Sequence, residues 1–260
     1  MLTLEAFDVV VEDRQILRNI HLSIKPGETH VLFGPNGHGK STLLNALMGF
    51  PRYQVAGHCW FKGLDITSLP VHERARAGIG LMFQRPPTIR GLTMREILKL
   101  CAADGVPVED LAAELRLETF LDRDVNDGFS GGELKRAELL QLLVQRPNLA
   151  LIDEPESGVD LENIGLIGRA INELLGRREP RPADAECRLK QAQRNAGLII
   201  THTGHILNYV EADVGHVLYE GRLACTGNPR EILSFIQKNG YGECVRCLNH
   251  QPEERSRVDA

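Results

Sequence analysis

An apolar run at residues 29–33 leads directly into Gly34-Pro-Asn-Gly-His-Gly39-Lys40-Ser41, and a helical pattern follows to Met48. Glycine, four residues, then Gly-Lys-Ser is the spacing of a phosphate-binding loop. Its glycines allow positive φ angles and close backbone approach, so successive N–H groups and the helix N-terminus can face an anion. The lysine supplies a point charge for β- and γ-phosphates and the serine hydroxyl a ligand for Mg²⁺. At ordinary residue usage a chain this long matches the pattern by chance about once in a hundred sequences. The expected phosphate-binding set is therefore Gly34, Pro35, Asn36, Gly37, His38, Gly39, Lys40 and Ser41, with Thr42 in the first helical turn. His38 fills a variable position of the pattern and is read as a tolerated side chain.

Three further short apolar runs, at 79–83, 149–152 and 198–201, are continuous rather than alternating. That suits parallel strands buried on both faces. Together with the first run they lead into Gly34, Gln84, Asp153 and His202, and in open parallel sheets ligands collect at such carboxyl ends. Residues 2–11 and 20–24 are β-branched with turn residues between them, which predicts a small antiparallel layer. Between Gln84 and Asp153 the pattern is helical, with Thr93 as a cap for a helix over 94–103 and breaks at Pro107 and Gly128. The expectation is a single α/β domain: a nucleotide-binding core of 1–84 and 147–260, with a helical subdomain at 85–146. The polar stretch 177–195, with Pro180 and Pro182, reads as a solvated loop.

The run at 149–152 ends in Asp153 and Glu154, a Walker B pattern. Asp153 suits the water shell of a Mg²⁺ ion, and Glu154 suits the general base that orients an attacking water. Ser130-Gly-Gly-Glu133 reads as a capping box ahead of a helix that Pro147 ends. A capping box explains the serine and glutamate but not two glycines, which weaken a first helical turn. Two bare N–H groups beside a hydroxyl make a second anion site. With one loop already serving the phosphates, that implies a second protein surface.

A formal net charge of -5 argues against nucleic acid as a partner. The first ten residues lack the sections of a secretory signal, and no apolar run approaches the roughly 20 residues that span a bilayer. The expected location is the cytoplasm, without membrane insertion. Six cysteines there read as free thiols or ligands rather than a disulfide framework.

The phosphate loop, Gln84, Phe129-Ser-Gly-Gly-Glu133, the Asp153–Glu154 pair, Ser157-Gly-Val-Asp160 and His202 follow one another in the order of an ATP-binding cassette ATPase, and the chain resembles that family over most of its length. The resemblance implies a RecA-like core with an antiparallel β layer and an inserted helical subdomain. It also implies head-to-tail pairing of two copies, in which Ser130, Gly131, Gly132 and Glu133 of one copy close on the ATP held by Lys40 of the other. Gln84 would sense the Mg²⁺ ion held with Ser41 and Asp153, His202 would contact the γ-phosphate, and Asp160 would link the two sites. The aromatic residue on which such cassettes often stack adenine is missing, since the first strand region reads Val9-Val-Val-Glu-Asp13, which leaves Val11 to meet the base.

Within the family, Asp122-Arg-Asp-Val-Asn126, Gly128-Phe-Ser-Gly-Gly-Glu-Leu-Lys-Arg136, Val217-Leu-Tyr-Glu-Gly221 and Gly240-Tyr-Gly242 resemble the SufC-type ATPases of iron–sulfur cluster assembly. That branch implies a soluble partner, either a SufB-like scaffold alone or a SufB–SufD pair, remodelled when ATP closes the dimer. Pro155, where Ser is frequent, and the long 177–195 stretch depart from the pattern. Cys244, Cys247 and His250 have ligand-like spacing but lack a fourth ligand for a tetrahedral site, and incidental thiols fit as well. The alternatives are the ATP-binding subunit of a membrane importer and a nucleotide-binding switch without turnover. Glu154 and His202 together argue against the switch.

Overall fold

A computed structural model describes residues 1–177 and 195–249. Its first layer is a four-stranded antiparallel sheet in the order β2-β1-β4-β5, made of β1 (Leu2–Val11), β2 (Arg14–Ile24), β4 (Gln54–Phe61) and β5 (Leu64–Asp65). Leu2 and Leu4 are buried, then Phe7 and Val9, so the buried phase of β1 slips by one residue. A bulge at Ala6, φ 47°, absorbs the slip and keeps all four on the core face. Gly57 on β4 lies opposite: a Cβ there would stand 2.1 Å from the Ala6 carbonyl oxygen.

The second layer is a six-stranded sheet in the order β12-β11-β3-β10-β9-β6. β3 (Thr29–Phe33), β6 (Ile79–Met82), β9 (Leu149–Asp153), β10 (Ala196–Ile200) and β11 (Val214–Tyr219) run parallel, and β12 (Arg222–Gly227) returns antiparallel to β11. Every residue of β3, β9 and β10 is buried, as expected of strands covered on both faces. Side-chain alternation divides them between two cores. Leu32, Leu151 and Ile200 face the antiparallel layer and α1 (Lys40–Met48). Val31, Phe33 and Ile152 face a helical layer.

Between β6 and β9 lie the short pair β7 (Ile89–Thr93) and β8 (Asp124–Val125), with α3 (Met94–Cys101), α4 (Val108–Glu114) and α5 (Gly131–Gln145). Thr93 and Glu96 close a capping box on α3. Among the described residues the other α-helices are α2 (Val71–Ala77), α6 (Leu161–Leu174) and α7 (Pro229–Asn249). Gly240, φ 77° and ψ 169°, interrupts α7 in a conformation that essentially only glycine adopts. No helix of the described residues is long and apolar enough to cross a membrane. Residues 178–194 of the polar stretch lie outside the described residues.

Candidate active site

The glycine-rich loop joins β3 to α1, and its glycines answer different demands. Gly34 is pressed against β11, where a Cβ would stand 2.3 Å from the Leu218 carbonyl oxygen. Gly39, φ 101°, leaves no room either, because its Cβ would lie 2.6 Å from Leu17 Cδ2. Gly39 also gives α1 no capping side chain, so the first-turn N–H groups remain available to an anion. The buried Lys40 donates to the carbonyl oxygens of Gly34 at 2.7 Å and Pro35 at 2.9 Å. Burial lowers its pKa, while Glu154 and Asp153 oppose the shift. His38 does more than fill space. It accepts from the Glu220 N–H at 2.9 Å, and its ring packs on Tyr219 with centroids 4.9 Å apart.

Asp153 ends β9 almost buried, and one of its oxygens, Oδ1, has no hydrogen-bond partner. Burial raises its pKa, and a hydrogen bond with Ser41 opposes that. An orphaned buried carboxylate oxygen beside a hydroxyl is an oxygen donor set that fits a hard divalent cation. Glu154 sits at φ 47°, a left-handed conformation uncommon outside glycine. Its Oε2 accepts from Gln84 Nε2 at 2.6 Å, so the ends of β6 and β9 meet through these two side chains. Beneath them the buried Lys135 donates to the carbonyl oxygens of Gln84 at 2.9 Å, Phe83 at 3.3 Å and Asp153 at 3.4 Å. Sequence reasoning passed over Lys135. The available signal was its position, about one turn after the Ser130 cap in a helix that runs on into the apolar stretch 139–144.

Ser130 caps α5, with Oγ accepting from the Glu133 N–H at 3.4 Å, and Glu133 Oε2 accepts from the Ser130 N–H at 2.7 Å. The two glycines between them differ. A Cβ on Gly131 would come within 2.7 Å of the Gly158 carbonyl oxygen, so that glycine has a packing reason inside one chain. Gly132 would make only ordinary contact with Asn163, so the surplus that points to a second surface rests on Gly132 alone. Gly131, Gln84, Lys135 and Ser157 share the lining of a cavity of about 240 Å³. Glu154 and His202 line another of about 360 Å³. Asp160 caps α6 and holds both the N–H and the amide of Asn163.

Glu156 was also missed. It is buried, and its Oε1 accepts from the hydroxyls of Thr201 and Thr203, the neighbours of His202 on either side. Burial raises its pKa. At the C-terminal end the Cys225 and Cys244 thiols are in contact, and burial pushes Cys225 up to about 11, which makes it an unreactive thiol. The Cys247 side chain and His250 lie outside the described residues, and the described ones hold no group of three metal-ligating side chains.

The sequence model of the family described as "ABC transporter" matches residues 17–157. A probable ABC transporter ATP-binding protein of Streptococcus pyogenes serotype M3 is 34% identical, over 98% of this chain and 99% of that protein. The probable ATP-dependent transporter slr0075 of Synechocystis is also 34% identical, covering 93% and 94% respectively. Among solved structures, a nucleotide-free ATP-binding cassette from an ABC transporter aligns with a TM-score of 0.72 at 23% identity, covering 97% of this chain and 99% of that one. The ADP conformation of the cassette MJ1267 aligns at 0.71 and 24%, covering 95% and 98%.

Proposed function

The chain belongs to the ABC transporter family of ATP-hydrolysing cassettes, and on that premise we propose that its hydrolysis drives a soluble iron–sulfur cluster assembly complex by closing two copies on a SufB-type scaffold. The observation that carries the catalytic part is the meeting of Ser41, Asp153, Glu154 and Gln84 at one sheet edge, with Asp153 Oδ1 buried and unpartnered. Ser41, Asp153 and Gln84 would hold Mg²⁺. When bound, that ion neutralises charge on the β- and γ-phosphate oxygens.

The chain's own residues then divide the work. Lys40 exchanges its bonds to the Gly34 and Pro35 carbonyls for phosphate oxygens, which suits a buried ammonium whose present partners are neutral. Glu154 takes the proton of the attacking water once its side chain turns from Gln84 into the site. Glu156 holds the two threonines that flank His202, and His202 meets the γ-phosphate. Ser130 and Gly132 present their free faces to the nucleotide of the second copy. Residues 85–146 act as the helical subdomain that reports nucleotide state through Gln84, with 1–84 and 147–260 as the core.

Partner docking is assigned to the groove of about 330 Å³ between core and helical subdomain, where Phe50, Phe83, Pro87, Ile89 and Ile97 form an apolar lining. The choice of a SufB-type partner rests on the SufC-like segments around residues 122–136 and 240–242. In the structure Phe129 packs edge-on against Phe120 beneath Arg123, which gives that segment its own small cluster. A second reading, the ATP-binding subunit of a membrane transporter, is favoured by the names of the relatives. Affinity purification without detergent, followed by mass spectrometry, separates them. A SufB-like protein co-purifying is the expected result, and an integral membrane protein in its place would overturn the assembly role.

A further inference from the structure

His38 lies at a variable position of the glycine-rich loop, yet its imidazole is tied to a distant part of the chain. Its partner is the hairpin turn joining β11 to β12. Glu220 and Gly221 both have positive φ, 47° and 75°, and Tyr219 pairs with Arg222, which makes a two-residue turn of the type I′ form. In such a turn the ladder bonds belong to the flanking pair, so the Glu220 N–H has no duty within the hairpin. It donates to His38 Nδ1 at 2.9 Å. The neutral ring then carries its proton on Nε2.

The same turn is wedged against β2. The Gly221 carbonyl oxygen accepts from the Arg18 N–H at 2.8 Å, and a Cβ on Gly221 would stand 2.1 Å from the Ile16 carbonyl oxygen. The loop closes the circuit, since Gly39 is pressed on the side chains of Leu17 and Ile16. Loop, strand and turn thus form a ring of contacts in which His38 is a side-chain hydrogen bond on a partly exposed edge. β2 pairs with β1 through Val9 and Leu17 and through Val11 and Arg14, so the ring joins the phosphate half of the site to the half where the base is expected.

We infer that His38 is a positioning residue that keeps the phosphate loop in register with β2 and so sets the separation between the phosphate and base halves of the ATP site. The inference rests on residues 34–41 being the ATP phosphate loop. A general loosening of the loop would weaken every phosphate ligand, whereas loss of register weakens ligands that touch both halves.

The test compares ATP with inorganic tripolyphosphate, which lacks base and ribose, by equilibrium binding to wild type, His38→Asn, His38→Gln and Lys40→Ala. Asn places its Oδ1 where Nδ1 sits, whereas Gln is as large but carries its acceptor one bond too far out. The loss of one net hydrogen bond predicts a roughly three- to tenfold weaker ATP Kd for His38→Gln. His38→Asn should bind ATP as wild type does, and tripolyphosphate should bind wild type and both His38 variants alike. Equal ATP affinity of His38→Gln and wild type, equal losses on ATP and tripolyphosphate, or failure of Asn to restore affinity would each overturn the inference. Failure of the loop assignment looks different, because Lys40→Ala would then bind ATP as tightly as wild type. Both His38 variants keep a polar side chain on a partly exposed position, and thermal unfolding confirms that they fold.

Discussion

Single side chains at this site are held in places that the loop pattern does not specify, and Glu154 is the sharpest case. Its backbone lies at φ 47° and its carboxylate is engaged by Gln84. If it is the base, Glu154→Gln should bind ATP normally and lose at least a hundredfold in turnover, within the usual span for removing a general base. Single-turnover phosphate release checks this, and near-normal turnover would remove Glu154 from that role. A second prediction concerns two histidines remote from the site. His30 Nδ1 and His216 Nε2 are 2.8 Å apart and buried, with Glu28 and Thr226 at the two ends of the chain of bonds. Burial lowers both pKa values, His216 to about 4, against opposing attraction from Glu28 and Asp213 on His30. Because the folded pKa lies below the unfolded one, unfolded chains bind protons that the fold refuses, and stability falls as pH drops from about 6.5 towards 4. From pH 7.5 to pH 5 His216 alone should cost up to about 2 kcal/mol. Thermal melts of wild type should fall by several degrees over that range. His216→Gln, though less stable at pH 7.5, should show a flatter slope.

At the scale of elements, the capping residue of α5 does two jobs that can be separated. Replacing Ser130 by Ala removes the cap and should cost about 1 kcal/mol, visible as a Tm lower by a few degrees. A cap and nothing more would leave ATP turnover at 25 °C unchanged. A hydroxyl that also meets the second copy's nucleotide predicts turnover reduced at least tenfold in a protein still fully folded at that temperature. Elements of this kind were legible in the sequence wherever local chemistry decides. The runs at 29–33 and 149–152 are strands, and Thr93 and Ser130 are caps, because burial on both faces and unpaired N–H groups leave marks on neighbouring residues. The glycine-rich turn between β3 and α1 and the position of Asp153 and Glu154 at the end of β9 were legible for the same reason. What stayed hidden is long-range. Nothing near His38 announces Glu220, 182 positions away, and nothing near Glu156 announces the threonines around His202. Gly131 shows the opposite error. Its glycine looked like a mark of an external ligand, and part of its reason is the Gly158 carbonyl of the same chain.

For the whole molecule, the question is whether one chain holds a complete site. In the structure Lys40 and Ser41 open α1 beside Asp153 at the end of β9, while Ser130 and Glu133 bond each other at the start of α5. Two variants distinguish a shared site from a self-contained one, each expected to be inactive alone: Lys40→Met, expected to disable the glycine-rich loop, and Ser130→Arg, expected to block the α5 terminus. In a head-to-tail pair each site takes Lys40 from one copy and Ser130 from the other. A mixed pair then has one site with both defects and one with none. If copies pair at random, half of the pairs are mixed and each has one working site of two, so an equimolar mixture should recover about a quarter of wild-type turnover. A site completed within one chain allows no recovery at any ratio. The recovered activity should also rise steeply with total protein concentration, because it requires pairing, and should level off earlier when a scaffold holding two copies raises their effective concentration. Mixing at constant total protein and measuring phosphate release decides the matter, and recovery that is absent across the concentration series would overturn the shared site while leaving the phosphate-loop chemistry intact.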